Sequence, residues 1–211
     1  MIESEQIVNR IVVIGGGASG ALVAAQLLRN AGRVPVDVVV LEPRGVLGRG
    51  IAYDTADPAH LLNVPARAMS GFPDEPDHFR QWAGAQPAEF VSRSRYGDYL
   101  GELLAAAVTG APNGSRFLHV RSRAIDIAPG TDRQLRVFDD RGDVYAADHV
   151  VIATGHDQPA IPTGIAPELL DAPQVLVDPW DPGGLDSIRP GERVVCVGSG
   201  LTFVDVALTV L

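Results

Sequence analysis

Ile11-Val12-Val13-Ile14 is a short, wholly apolar, β-branched run, the pattern of a strand covered on both faces in a parallel sheet. A glycine cluster follows. Residues 18–30 are then rich in Ala and Leu up to Gly32, which predicts a helix with a glycine stop. Val38-Val39-Val40-Leu41 repeats the buried-strand pattern, so residues 11–42 read as one βαβ unit. Residues 43–75 carry many Gly, Pro and Asp without a long period and read as ordered loop. A short helix is expected over 76–83. A longer one is expected over 96–108, where Leu100, Leu103, Leu104 and Val108 share a face.

Beyond Phe117 the period shortens to that of strands. Residues 118–127, 134–138 and 143–146 alternate or nearly so, with Asp139-Asp140-Arg141-Gly142 as a hairpin turn. The apolar run 149–153 then leads into Thr154-Gly155, and residues 156–191 are dense in Pro, Gly and Asp, as a linker between domains would be. Residues 193–197 read as another buried strand, Gly198-Ser199-Gly200 as another tight turn, and 201–211 as the opening of another helix. The pattern is that of an α/β protein with a parallel sheet, a run of strands from Phe117 to about 147, and a second strand–glycine–helix start near its end.

Composition narrows the field more than it directs it. Of 211 residues, 46% are hydrophobic and 20% charged, ordinary for a globular chain with a substantial core. Seventeen basic against twenty-six acidic residues leave a net charge of −9, which argues against nucleic acid or an anionic membrane as partner, since both require clustered Lys and Arg. The acidic amino terminus does not resemble a signal peptide, and no run reaches the roughly 18 apolar residues of a membrane span, so a cytoplasmic protein is expected. The lone cysteine, Cys196, excludes an internal disulfide and a CxxC pair; in its run Val194-Val195-Cys196-Val197 it reads as a small buried hydrophobe. His60, His78, His119, His149 and His156 show no metal-ligand spacing, and Ser92, Ser94 and Ser199 have no G-x-S-x-G context, so no metal site and no hydrolase triad is expected. His156 reads as a linker histidine, and Asp178-Pro179-Trp180 as an anchor for the crossing chain.

The first glycine cluster, Gly15-Gly16-Gly17-Ala18-Ser19-Gly20, fits G-x-G-x-x-G. Gly15 permits a sharp turn out of the strand, Gly17 leaves room for a pyrophosphate to approach the backbone, and Gly20 allows close packing of helix on sheet. The free N–H groups and positive dipole end of the helix would face that pyrophosphate. The motif alone is weak, but here it follows an apolar strand and opens a helix. Glu42, ending the second strand, stands where a carboxylate accepts hydrogen bonds from the ribose hydroxyls of an adenosine. Together they predict a dinucleotide site.

Asp148-His149-Val150-Val151-Ile152-Ala153-Thr154-Gly155 resembles the second FAD fingerprint of the flavoproteins with two dinucleotide-binding domains, in which this strand passes the flavin before the chain crosses to the NAD(P)H domain. Leu47-Gly48-Arg49-Gly50-Ile51-Ala52-Tyr53-Asp54, Leu61-Leu62-Asn63-Val64-Pro65, Met69-Ser70, Phe90-Val91-Ser92-Arg93, Tyr96-Gly97, Tyr99-Leu100 and Gly198-Ser199-Gly200-Leu201-Thr202 with Asp205 resemble a family of bacterial FAD/NAD(P)-binding proteins related to flavin monooxygenases and N-hydroxylases. Asn63-x-Pro65 and Phe72-Pro73-Asp74 are similar to the region that approaches the flavin in flavin-containing monooxygenases. The resemblance implies a Rossmann-like FAD-binding domain over 1–155 with a three-stranded β insertion at about 117–147, a linker over 156–191, and the start of a Rossmann-like NAD(P)-binding domain over 192–211. It implies FAD contacts from Gly15, Gly17, Ala18, Ser19, Gly20, Glu42, Pro43, Gly48, Asn63, Val64, Ala124, Ala153, Thr154 and Gly155. For NAD(P)H as co-substrate it implies Gly198, Ser199, Gly200 and Thr202. Asn63 either faces the isoalloxazine or bonds its own turn backbone.

The second glycine turn departs from the usual pattern: Phe203 stands where Gly or Ala commonly allows tight packing. The strands that would complete that domain do not follow, so the chain reads as an amino-terminal fragment or a truncated product. The function implied is an FAD-dependent, NAD(P)H-using oxidoreductase of monooxygenase or N-hydroxylase type acting on a small molecule, with a homo-oligomer compatible with the sequence. Two rivals stay open: a reductase without oxygen insertion, and a flavin-binding module or subunit without turnover of its own. No side chain is singled out as catalytic acid or base, and the choice between NADH and NADPH is not legible in these residues.

Overall fold

A computed structural model describes residues 8–211 except 33, 132–133, 157–159, 162–163, 171 and 182; the acidic stretch 1–7 and parts of the expected linker lie outside the described residues. β1 (Asn9–Ile14), helix α1 (Ala18–Arg29) and β2 (Val36–Leu41) form the expected βαβ unit, the strands pairing in parallel with Ile11 opposite Val38. A short helix α2 (Gly50–Tyr53), α3 (His78–Ala83) and the 17-residue α4 (Arg93–Thr109) follow. α4 begins a turn earlier than the leucine spacing suggests, because Ser92 is still extended (φ −63°, ψ 148°) and its carbonyl accepts the first helical bond, from Tyr96.

The residues expected as one strand over 118–127 form two. β3 (Arg116–Val120) pairs in parallel with β2, and β4 (Ala124–Pro129) joins a separate antiparallel sheet with β5 (Leu135–Asp139) and β6 (Val144–Ala147). The break falls at Arg121-Ser122-Arg123. There the Ser122 amide turns back on the Val120 carbonyl (2.9 Å) and Arg123 bonds to Asp140. The antiparallel sheet is therefore 124–147, and the part of the expected insertion before it belongs to the main sheet. β7 (His149–Ile152) returns beside β1, completing a four-stranded parallel sheet of order β3-β2-β1-β7.

Alternate residues of β1 and β2 serve two cores, as the twofold period of a strand requires. Ile11, Val13, Val38 and Val40 pack under Ala21, Ala24, Ala25 and Leu28 of α1 and Tyr99, Leu100, Leu103 and Leu104 of α4. Val12, Ile14, Val39 and Leu41 face Val137 and Ala147 of the antiparallel sheet. Burying each such side chain stabilises the fold by about 1.5–3 kcal/mol, and this double covering accounts for the unbroken apolar runs.

The expected linker carries α5 (Pro167–Leu170) and a 3-10 turn (Leu185–Ser187). The expected strand 193–197 makes no ladder among the described residues and is exposed: Val195 is 81% and Val197 74% accessible. Cys196, expected to be buried, is exposed with it. An apolar run becomes a buried strand only when a sheet receives it, and no strand of the described chain pairs with this one. Helix α6 (Leu201–Val210) does form, and it rests on the rest of the fold. No helix among the described residues is long and apolar enough to cross a membrane.

Candidate functional site

The carboxyl ends of the parallel strands carry the candidate residues. β1 has β2 on one side, reached through α1, and β7 on the other, so the chain's path diverges between β1 and β7; a crevice opens at such a switch point. Gly15 turns the chain there with φ +98°, a conformation a Cβ would strain, and its amide donates to the Leu41 carbonyl (2.9 Å). A Cβ at Gly15 would collide with the carbonyl of Ala153, and one at Gly20 with that of Gly15, so both glycines are required by the seating of α1 and β7.

Gly17 is different. It is the N-cap of α1, no side chain caps that end, and a Cβ there would lie 3.4 Å from the Gly50 Cα, an ordinary contact. Two helix starts thus approach backbone to backbone, Gly17–Ala18 against Gly50. The first amides of α1, those of Ala18 and Ser19 among them, lack intrahelical acceptors by the geometry of a helix. That is the donor set a pyrophosphate requires.

Glu42 closes the site at the end of β2 and is 4% exposed, not a solvated strand end. Its Oε2 accepts from the Gly16 amide (2.9 Å), and its Oε1 from the Arg44 amide (3.1 Å) and guanidinium Nε (2.9 Å). Burial works to raise its pKa, but the Arg44 side chain, the Gly16 and Arg44 amides and the Arg44 charge outweigh it, holding the carboxyl below its ordinary range. The backbone of Glu42 is fixed as well: its amide donates to Val120 (3.0 Å), and its carbonyl accepts from His119 Nε2 (3.0 Å). A preset, ionised acceptor at this place suits ribose hydroxyls.

The remaining candidates fall into five groups. Ala153, Thr154 and Gly155 leave β7 beside the glycine turn, the Ala153 amide donating to Ile14 (2.8 Å). Gly48 donates to the Gly16 carbonyl (2.9 Å) and packs on Leu100 of α4, while Pro43 is exposed after Glu42. Ala124 starts β4 and packs against the core that Val12, Ile14, Val39 and Leu41 form with the antiparallel sheet. Asn63 is exposed and Val64 half-buried, in a loop held to the segment before α4 by Leu62–Val91 and Ala66–Glu89 backbone bonds. Gly198 (φ +114°), Ser199, Gly200 and Thr202 are exposed at the start of α6, and neither glycine has a neighbour where its Cβ would stand. That second turn has the backbone of the first without its sheet.

Gly16, Gly50, Arg44 and His119 build the site but escape the motif. Gly16 occupies a variable position of the pattern, yet it is buried, and a Cβ there would come 2.7 Å from the Glu42 Cβ. The Gly15-Gly16-Gly17 run and the Gly48-x-Gly50 pair were the available signals. Arg44 reaches Glu42 locally, two residues on, and His119 through a tertiary contact that no spacing marks. Among the described residues no group of three or more His, Cys, Asp or Glu could hold a metal ion.

Comparison with solved structures returns the same architecture. A closed cyclohexanone monooxygenase structure aligns with 76% of this chain and 28% of its own at 19% identity (TM-score 0.54). A flavin-containing monooxygenase from Stenotrophomonas maltophilia aligns with 74% of this chain and 42% of its own at 24% identity (TM-score 0.51). An oxidised steroid monooxygenase bound to NADP aligns with 72% of this chain and 27% of its own at 21% identity (TM-score 0.52). At these identities the likeness is one of fold, and the chain spans well under half the length of each. No curated protein matches the sequence. The FAD-NAD(P)-binding family profile matches residues 12–157, from the first strand through the glycine turn and Glu42 to the end of β7, and the chain belongs to that family.

Proposed function

We propose that this chain supplies the FAD-binding half of an NAD(P)H-using flavin oxidoreductase of the monooxygenase class, acting on a small molecule. The observation that carries the reading is the pairing, at one switch point, of an uncapped helix start with the buried carboxylate of Glu42. In this reading Gly17, Ala18 and Ser19 hold the pyrophosphate, Glu42 the adenosine ribose, and Ala153-Thr154-Gly155 lie along the flavin. Bound FAD supplies the redox chemistry; the chain's residues bind it, orient it and exclude water. Gly198, Ser199, Gly200 and Thr202 open the NAD(P)H unit. The fold is shared with cyclohexanone, steroid and flavin-containing monooxygenases, which is the ground for placing the reaction in that class; reduction without oxygen insertion is the rival reading.

Denaturing the purified protein and identifying the released nucleotide by chromatography tests the first step. FAD at about one per chain is expected; FMN, or NAD alone, would overturn it. NAD(P)H oxidation with product analysis, in a form that includes the whole second nucleotide unit, then separates oxygen insertion from reduction.

A further inference from the structure

Helix α6 is seated by polar groups. Its Asp205 is 4% exposed, and Arg93 Nη1, at the start of α4, lies 2.7 Å from Asp205 Oδ2. Arg93 is itself held in place: its Nε donates to the Leu61 carbonyl (3.0 Å) and its amide to that of His60 (2.8 Å). His60, 5% exposed, has Nε2 at 2.9 Å from Thr209 Oγ1 and 3.3 Å from the Asp205 carbonyl, and Nδ1 at 2.7 Å from Thr55 Oγ1. The Thr209 hydroxyl donates to Asp57 Oδ2 (3.1 Å). With that proton committed, the Thr209 oxygen accepts from His60, so Nε2 carries a ring proton, and in the neutral ring the Thr55 hydroxyl donates to Nδ1. A directed chain of bonds thus runs Thr55–His60–Thr209–Asp57, with Trp180 edge-on to His60 at 5.8 Å.

Asp205, Val206 and Thr209 make the seat, while Leu201, Val204 and Leu208, spaced as i, i+3 and i+7, form an apolar stripe that stays 47–56% exposed. One face of α6 is held to the first unit, and the other is exposed. Arg93–Asp205 is a close ion pair in which Asp205 Oδ2 accepts no hydrogen bond, while the His60–Thr209–Asp57 bonds are directional; contacts of this kind, small in apolar area, fix an orientation more than they bury surface.

We propose that Arg93–Asp205 and the His60–Thr209–Asp57 chain form an interdomain latch, whose residues are positioning residues that set the angle between the FAD unit and the NAD(P)H unit opened by α6. This rests on the reading that residues 198–211 begin that unit. The latch is tested on the 211-residue protein by amide hydrogen exchange across α6 and by energy transfer from bound flavin to a dye on Cys196, the single and exposed cysteine. Arg93→Met leaves the Asp205 carboxylate without its counter-ion. It is expected to speed exchange in α6 by about tenfold or more and to lower and broaden the transfer, with FAD affinity within about twofold. Thr209→Val, which removes the relay alone, should give a smaller change in the same direction, and Arg93→Lys should restore most of the wild-type transfer. Unchanged exchange in α6 in both Arg93→Met and Thr209→Val would overturn the latch. Failure of the wild type to bind FAD would instead overturn the flavin reading, and hydrogen exchange alone would then decide on the latch.

Discussion

Glu42 is the residue on which the nucleotide reading turns, and its surroundings set two expectations. Glu42→Ala removes charge-assisted bonds, so FAD affinity should fall by about 1.5–3 kcal/mol, measured by flavin fluorescence titration. The folded-state pKa of Glu42 lies below its ordinary value of 4.5. Its stabilisation is therefore fully present above the unfolded pKa and lost as pH falls through the folded one. Urea melts should show that loss below about pH 4.5 in the wild type, and Glu42→Gln should flatten that part of the profile.

The neighbouring glycines should separate in their effects. Gly16→Val forces atoms against the Glu42 Cβ and should destabilise the apoprotein by about 1–3 kcal/mol. Gly17→Ala meets only ordinary contact with Gly50, so stability should stay within about 0.5 kcal/mol while FAD affinity drops. Thermal melts with and without FAD distinguish the two. A Gly17→Ala protein with wild-type affinity would remove the pyrophosphate from that place.

At the scale of elements, α4 does more than cover the sheet. Its fully buried Tyr99 places a hydroxyl 3.0 Å from the Gly71 amide and 2.8 Å from His78 Nδ1, tying the loop at Phe72-Pro73-Asp74 to the core. Burial pushes the Tyr99 phenol pKa up, so the hydroxyl keeps its proton and acts as donor and acceptor. Tyr99→Phe leaves both partners unpaired and should cost about 1–3 kcal/mol, read as a lower urea midpoint at unchanged m value. The loop carries the residues that resemble the flavin-approaching region, so flavin spectra should broaden in the same variant.

For the whole molecule, the contrast between the two glycine turns decides what these residues do unaided. The first is backed by four parallel strands; the second follows a run, 193–197, that pairs with no strand among the described residues. A nucleotide unit needs at least a βαβ unit, because its ribose-reading side chain ends the second strand. The 211-residue protein should therefore bind FAD and show no sustained NADPH or NADH oxidation under air. Turnover at about 1 per second or more would show that a complete second site lies within these residues.

The first βαβ unit was legible in the sequence because its local signals agree. Apolar β-branched runs, an Ala- and Leu-rich helix and glycines at the turn each demand the same structure; Gly15 has no alternative once β7 lies alongside, nor Gly20 once α1 packs on the Gly15 turn. The family resemblance was legible for the same reason, in the order of its motifs. The fate of 193–197 was not, because an apolar strand is stable only through hydrogen bonds to neighbours that its own residues cannot supply. Nor was the break at Arg121-Ser122-Arg123, where two sheets compete for one alternating stretch. Only the tertiary structure placed His119 on Glu42, and His60 and Arg93 on α6. These contacts join residues far apart in the chain, and their value comes from burial and direction, which periodicity does not encode.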